Sequence, residues 1–501
     1  MKEKRLLEQV SDIYIFLIII LFPLIVDKTG FFHILECKWN AYVMITTTYI
    51  ITNILIVLYY KWIKKKSILK KEKISIIQWL AILFLIVNIL SYLVSPFRKN
   101  YNLLIGVGRG EGLIVSSLYI LSFLFLTLFA KFKKKHILYF SISSILLNTI
   151  AILQFLGFNP LNMYQDGIGI HNVSFLTTIG NIDFVSALYC ILVSISFSAY
   201  VFLEKNSKWE KVIHISSIFM SFMMIAIMQV ASGKLAPFLT LIIIFPFIIV
   251  NHKRMSRLIV IVATILLAYC TNLVLNPEYH HDEQRYALYF NINYIVVLMI
   301  IISIIMIYLS RVLLKTKYDY SNNKKIIKRF YYSLGLIGFT SLIVLFFYKP
   351  NIEMLSEIHE LLHGNFDDNF GTYRIFLWKR TLKIFPDYWL LGSGPDSFAI
   401  RFMAKYTQDI AALGELTIND TAANIYLTMA INLGVLGLGT YLGFLYSQVK
   451  IGIQKMNKES KILLIGILCY AIQSFFNLSV VIVSPVFWVL MALHHNCIMQ
   501  K

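Results

Sequence analysis

Long apolar runs alternate with short basic or polar connections along almost the whole chain. A bilayer core about 30 Å thick needs roughly 20 apolar residues in helical form. Runs of that kind predict spans at 12–30, 41–60, 76–95, 112–130, 137–157, 182–203, 213–230, 235–250, 258–274, 291–310, 331–348, 424–446, 461–476 and 479–495. The expected fold is therefore all-α, a polytopic membrane protein with about 14 transmembrane helices and a range of 12–14. The last two runs are short, and only Asn477 and Leu478 separate them, so they also read as one broken or re-entrant unit.

The polar connections carry a second pattern. With the N-terminus inside, the inner connections hold 32 of the 46 Lys and Arg residues, including Lys64-Lys65-Lys66, Lys133-Lys134-Lys135 and Lys324-Lys325. Basic residues concentrate on the cytoplasmic side of membrane proteins. The alternation predicts both termini in the cytoplasm. The first run is too long for a signal peptide and lacks an Ala-x-Ala-like cleavage site, so it reads as a retained anchor.

Composition narrows the class. The chain is 58% hydrophobic and only 14% charged, with a mean hydropathy of +0.71. These values exclude a soluble globular enzyme, a disordered chain and a disulfide scaffold. The net charge of +20 is mostly topological, and no basic patch with interleaved aromatics supports a nucleic-acid partner. The five cysteines show no metal or redox spacing, and no metal or other cofactor is expected.

One outer connection stands apart. Residues 349–423 separate two spans by 75 residues, far beyond an ordinary loop. Within it, Tyr373 to Phe385 places Ile375, Leu377, Trp378, Leu382 and Phe385 at near-helical spacing among Arg374, Lys379, Arg380 and Lys383. That predicts an amphipathic helix seated at the membrane interface and ended by Pro386. The chain then divides into helices at 1–348, an extracytoplasmic loop at 349–423 and C-terminal helices at 424–501. The remaining outer cations are few. Arg109 and Glu111 lie between glycines in GVGRGEG, Asp183 follows TIGN, Lys234 closes the turn ASGK, and Arg285 ends NPEYHHDEQR. A cation at a span end ordinarily snorkels. Taken together, Arg109, Lys234, Arg374 and Arg285 form a set suited to a diphosphate, and glycines beside Arg109 would let the backbone approach a ligand.

At this point the residues resemble the O-antigen ligase and polysaccharide polymerase superfamily of bacterial membrane glycosyltransferases. The stretches that carry the resemblance are GNIDFVSALYCILVSI, GTYRIFLWKRTLKIFPDYWLLGSGPDSF, NDTAANIYLTMAINLGVLGLGTYLGFLY and IQSFFNLSVVIVSPVFWVLMAL. The resemblance implies transfer of a glycan from a polyprenyl (undecaprenyl) diphosphate carrier to an acceptor glycan, lipid or protein, on the outer face of the cell membrane and without a metal. It implies that Arg374 is the loop arginine that holds diphosphate, with Trp378 beside it. Asp420, Asn424 and Tyr426 match the family's D-x-A-H-N-x-Y-L stretch. Ala423 stands where that stretch has His. Three readings account for it: an engineered change, natural divergence to another base, or a family member without catalysis. Asp420, Glu111, Asp183 and His363 are the outer groups able to replace the base. A flippase for lipid-linked glycans is the competing class, although no internal repeat is evident.

Overall fold

The computed structural model describes residues 2–28, 30–31, 33–65, 73–156, 158–163, 177–228, 230–280, 285–290, 293–321, 323–412 and 420–499. Its helices are α1 (Lys2–Phe16), α2 (Ile34–Leu58), α3 (Ile76–Val94), α4 (Leu113–Phe129), α5 (Lys135–Phe155), α6 (Ile182–Phe202), α7 (Lys208–Met228), α8 (Ala231–Ile249), α9 (His252–Val274), α10 (Tyr294–Leu313) and α11 (Lys324–Phe347). There follow α12 (Glu353–Leu362), α13 (Phe370–Ile384), α14 (Phe398–Ala412), α15 (Ile425–Gln454), α16 (Lys458–Gln473) and α17 (Ser484–Met499). Among the described residues, 12 helices are long and apolar enough to cross a membrane. The two other expected spans are α4, of 17 residues, and α17, of 16. The final pair is indeed interrupted. Between α16 and α17, residues 474–483 leave the helix and run as a short 3-10 turn and irregular chain.

Two elements differ from expectation. In the polar stretch before α10, β1 (Leu275–His280) and β2 (Arg285–Phe290) pair antiparallel, with Leu275 opposite Phe290. The stretch ASGK is the first turn of α8 rather than a loop. Gly233 permits this, since a Cβ there would stand 3.0 Å from the Ser186 side chain on α6. Small residues at such a crossing let two helices approach closely.

Helix α6 forms the centre of the bundle, with nearly every residue buried. Its polar positions are satisfied across the core. Ser196 shares its hydroxyl with Ser141 (2.8 Å) and Ser217 (2.9 Å), and Ser141 meets His214 at 2.8 Å. Buried hydroxyls need such partners, because no water replaces them in a bilayer. At the other extreme, α11 makes few contacts and is exposed along its length.

The helix ends sort into two sets. At one end the basic connections gather: Asp12 pairs with Lys133 and with Lys135 (3.2 Å), Lys134 with Glu210 (3.0 Å) and Lys458 with Glu204 (3.0 Å). At the opposite end lie the 95–112 connection, the heads of α6 and α8, the described residues of the 348–424 segment and the 474–483 interruption. Hydrogen bonds of Gly108 with Asp396, Glu111 with Ser479, Asp183 with Asn477 and Arg374 with Phe476 join them, and Gly233 packs on Ser186.

The long segment has its own small core. One face of α13 (Phe376, Leu377, Ile384) packs on Phe398, Phe402, Tyr406 and Ile410 of α14. Arg380 lies 3.7 Å from the Phe376 ring centre and bridges Asp368 and Asp409, each at 2.8 Å. The turn at 389–394 is sewn into α15. Helix α15 breaks at Gly434 (φ +67), which frees backbone groups. Val435 N–H then donates to Trp389 O (2.8 Å) and Gly394 N–H to Asn432 O (2.9 Å). The two strands approach so closely that a Cβ at Gly392 (φ +71) would stand 2.3 Å from Asn432 O.

Candidate active site

The site begins with the loop between α3 and α4. Gly106 (φ +113) and Gly110 (φ +69) turn the chain so that successive N–H groups face one point. A ring of amides of this kind makes an anion cradle. Its occupant is Asp396, whose Oδ2 accepts from Gly108 N–H (3.1 Å), Arg109 N–H (3.1 Å) and Glu111 N–H (3.3 Å). Burial pushes the Asp396 carboxyl up to about 6, against the pull of those amides. The glycines beside Arg109 thus let the backbone approach Asp396. From the other side, Trp39 Nε1–H donates to Gly110 O at 3.0 Å and fixes the loop.

Arg109 leaves this loop toward the head of α15. Its Nε is 2.6 Å from Asp420 Oδ2, off the hydrogen-bond axis, and its guanidinium lies 5.4 Å from the Phe184 ring centre. Burial raises the Asp420 carboxyl, and Arg109 opposes that rise. Arg109 pairs with Asp420 and not with its neighbour Glu111. Glu111 instead accepts from Tyr119 Oη (2.7 Å) and Ser479 Oγ (2.7 Å), the latter in the α16–α17 interruption. Burial pushes its carboxyl up to about 7.

Arg374 begins the regular part of α13, after Gly371, Thr372 and Tyr373 take left-handed φ values of 63, 58 and 62. Its Nη1 donates to Gly371 O (2.9 Å) and its Nη2 to Phe476 O (3.2 Å), while its buried Nε has no partner among the described residues. Asp183, in the first turn of α6, lies within reach of the charges of both Arg374 and Arg109. Asn477 Nδ2 donates to Asp183 O at 2.8 Å, which ties the α16–α17 interruption to the same corner.

The turn that carries Ala423 is held from both sides. Trp378 Nε1–H donates to Ala422 O (3.0 Å), and Asn424 caps α15 by accepting from Leu427 N–H (3.0 Å). Tyr426 Oη donates to Ala471 O at 2.7 Å. Ala423 itself is half-buried with φ +48, a left-handed conformation rare for Ala and several-fold enriched in Asn, Asp and His.

Some of these groups line a cavity of about 100 Å³. Arg109, Glu111, Asp396, Thr421 and Ser479 belong to its polar lining, and Phe84, Met429, Tyr441, Phe487 and Trp488 to its apolar lining. Pockets of this make-up, apolar with a few convergent polar groups, are where ligands bind. Arg374, Asp183, Ala423, Asn424 and Tyr426 do not line it; Asn424 and Tyr426 flank its lining residue Ile425, and Arg374 and Asp183 are bonded to Phe476 and Asn477, just before its lining residue Ser479. Lys234 is exposed on the first turn of α8, beside the head of α6. Arg285 opens β2, and its side chain lies outside the described residues. His363 sits apart, stacked on Phe346 with ring centres 4.5 Å apart. Among the described residues no group of three or more His, Cys, Asp or Glu is arranged to hold a metal.

Asp396 is the residue that sequence reasoning passed over, since GSGPDSF reads as a turn. The available signal was an acidic residue in a segment where charge is otherwise scarce. Tyr119 and Trp39 carried no such signal, because a hydroxyl and a Trp near span ends are ordinary, whereas Ser479 lies in the FNLS stretch that carries the resemblance.

Residues 286–442 match the family model for O-antigen ligase. The match is single and partial, under a third of the chain, and it is consistent with the O-antigen ligase and polymerase superfamily and with glycan transfer in general. It takes in Arg374, Asp396, Asp420 and Ala423, and it stops short of Arg109 and Glu111. No curated protein matches the chain.

Proposed function

We propose that this protein is a glycosyltransferase that moves a glycan from a polyprenyl diphosphate carrier to an acceptor on the outer face of a bacterial cell membrane. The observation that supports the reading is that Arg374, inside the O-antigen ligase match, and Arg109, in the cavity lining, both act by their charge on Asp183. The basic connections at the opposite end support an outward-facing cavity.

In this reading the donor's diphosphate lies against Arg374, Arg109 and the exposed Lys234. Arg374 keeps one N–H, its buried Nε, without a partner among the described residues, and diphosphate oxygens would compete with Asp420 for Arg109. The acceptor hydroxyl attacks the anomeric carbon. The new C–O bond forms as the bond from that carbon to the diphosphate oxygen breaks, and the electron pair leaves on the diphosphate. Fixed cations stabilise that growing charge. The proton goes to a carboxylate. Asp420 is tied to Arg109 and Asp396 to three amides, whereas Glu111, at about 7, lies near the operating pH of a base. The acceptor is a glycan in a polymerase or another surface molecule in a ligase.

Ala423 favours a second reading, a family member with weak or no transfer. One assay addresses both. Glycan transfer from a polyprenyl diphosphate donor is measured for the parent protein, Arg374→Ala and Ala423→His. Arg374→Ala is expected to lose on the order of 10²-fold or more. Ala423→His is expected to gain on the order of 10²-fold. Undiminished transfer by Arg374→Ala removes the diphosphate role, and no gain from Ala423→His removes the missing-base account.

A further inference from the structure

At the basic end, far from the cavity, the ends of α6, α8, α9 and α16 bring four cations together. Three are accounted for in whole or part. Arg257 Nη1 donates to Val201 O (3.0 Å) and Leu203 O (3.0 Å) and so caps α6. Lys458 pairs with Glu204 at 3.0 Å. Arg254 Nη1 donates to Phe247 O at 3.0 Å, but its Nε is buried and lacks a partner among the described residues.

Lys461 is the anomaly. Its ammonium lies 5.0 Å from the Phe202 ring centre and 5.2 Å from that of Phe247, with no acceptor among the described residues. Arg254 lies over the same Phe202 ring at 5.5 Å. Two like charges on one ring repel, and a part-buried ammonium has three donors to satisfy. The nearby carboxylates take their hydrogen bonds elsewhere, Glu204 from Lys458 and Asp319 from Asn251 (2.9 Å) and Ser321 N–H, and reach Arg254 by charge alone, without a hydrogen bond among the described residues. Helix ends alone account for Arg257 and half of Arg254. They leave Arg254 Nε and Lys461 Nζ as two cationic donors beside one ring, that of Phe202, without an acceptor among the described residues.

We propose that Arg254 and Lys461 form a binding site for a phosphate group, that of an anionic phospholipid headgroup. A phosphodiester supplies the oxygens both donors lack and one negative charge between two positive ones. Exposed Ile243 and Ile249 on the same end of α8 continue the site as apolar surface, which suits acyl chains and gives a free phosphate nothing. The site is independent of the glycan-transfer reading.

The test is native mass spectrometry of the delipidated full chain, titrated with phosphatidylglycerol or with phosphatidylcholine of the same acyl chains. The parent protein is expected to retain phosphatidylglycerol preferentially. Arg254→Gln and Lys461→Gln are each expected to weaken it roughly fivefold, while Arg254→Lys keeps most of it. Lys134→Gln, at a different ion pair on the same end, is the control and should retain it fully. Equal retention of the two lipids, or undiminished binding by both Gln variants, overturns the proposal. If inorganic phosphate displaces the lipid at matched concentration, the phosphate chemistry stands and the lipid source is overturned. If either Gln variant fails to fold, Arg254→Lys and the competition by inorganic phosphate still decide between these outcomes.

Discussion

Replacing Glu111 by Gln isolates one buried carboxyl in the cavity lining. Both Glu111 oxygens accept hydroxyl bonds of 2.7 Å, and Gln keeps the shape with one acceptor and one amide donor. The Ser479 hydroxyl can turn to accept, because its oxygen also lies 3.0 Å from Ser484 Oγ. Gln therefore imitates the protonated acid. Burial moves Glu111 from 4.5 to about 7, so the folded protein holds this proton over a range where the unfolded chain has released it. The stability it contributes is full below pH 4.5 and is lost as pH rises through 7. A shift of that size corresponds to at most about 3 kcal/mol. Asp396, pushed up to about 6, adds a loss of the same sign in both proteins, and its charge is itself one of the causes that raise Glu111, after burial. The assay is thermal unfolding in detergent from pH 4.5 to 8.5. Glu111→Gln should match the parent protein at the acid end and exceed it by a few degrees, or roughly 2–3 kcal/mol, at pH 8. Parallel curves across the whole range would show that Glu111 does not titrate as argued.

Three further substitutions follow from local geometry. Ala423→Gly removes a Cβ from a left-handed residue and should stabilise the protein by about 1 kcal/mol, read from a denaturation midpoint. Gly392→Ala places a Cβ against Asn432 O and should cost several kcal/mol, seen as lost monodisperse protein or a much lower melting temperature. Trp39→Phe keeps the ring against Gly110 but loses the hydrogen bond to its carbonyl, for about 1 kcal/mol, and a melting curve checks it.

Much of the architecture could be read from hydrophobic run length, because helix length in a bilayer is set by its thickness. The runs at 76–95 and 182–203 differ little from α3 and α6. Periodicity also marked α13, though its apolar face is covered by α14, a partner that the spacing of α13 alone does not reveal. What escaped depends on contacts between distant segments. The paired strands 275–280 and 285–290 lack an alternating apolar pattern, and the break at Gly434 is visible only once the 389–394 turn supplies partners for the freed backbone. Within the site, scarcity of charge in the connections expected outside singled out Arg109, Glu111, Asp183 and Arg374, and the resemblance singled out Asp420. Their pairing did not follow from it: sequence proximity joins Arg109 to Glu111, and the fold joins it to Asp420 instead.

The central claim is that Arg109 and Arg374 hold a diphosphate while a glycan leaves it. The most direct measurement follows polyprenyl diphosphate release and glycan transfer together in proteoliposomes. The account predicts equal amounts of released carrier and transferred glycan, both reduced on the order of 10²-fold by Arg109→Ala and by Arg374→Ala. Release and transfer at parent rates in both variants would contradict it.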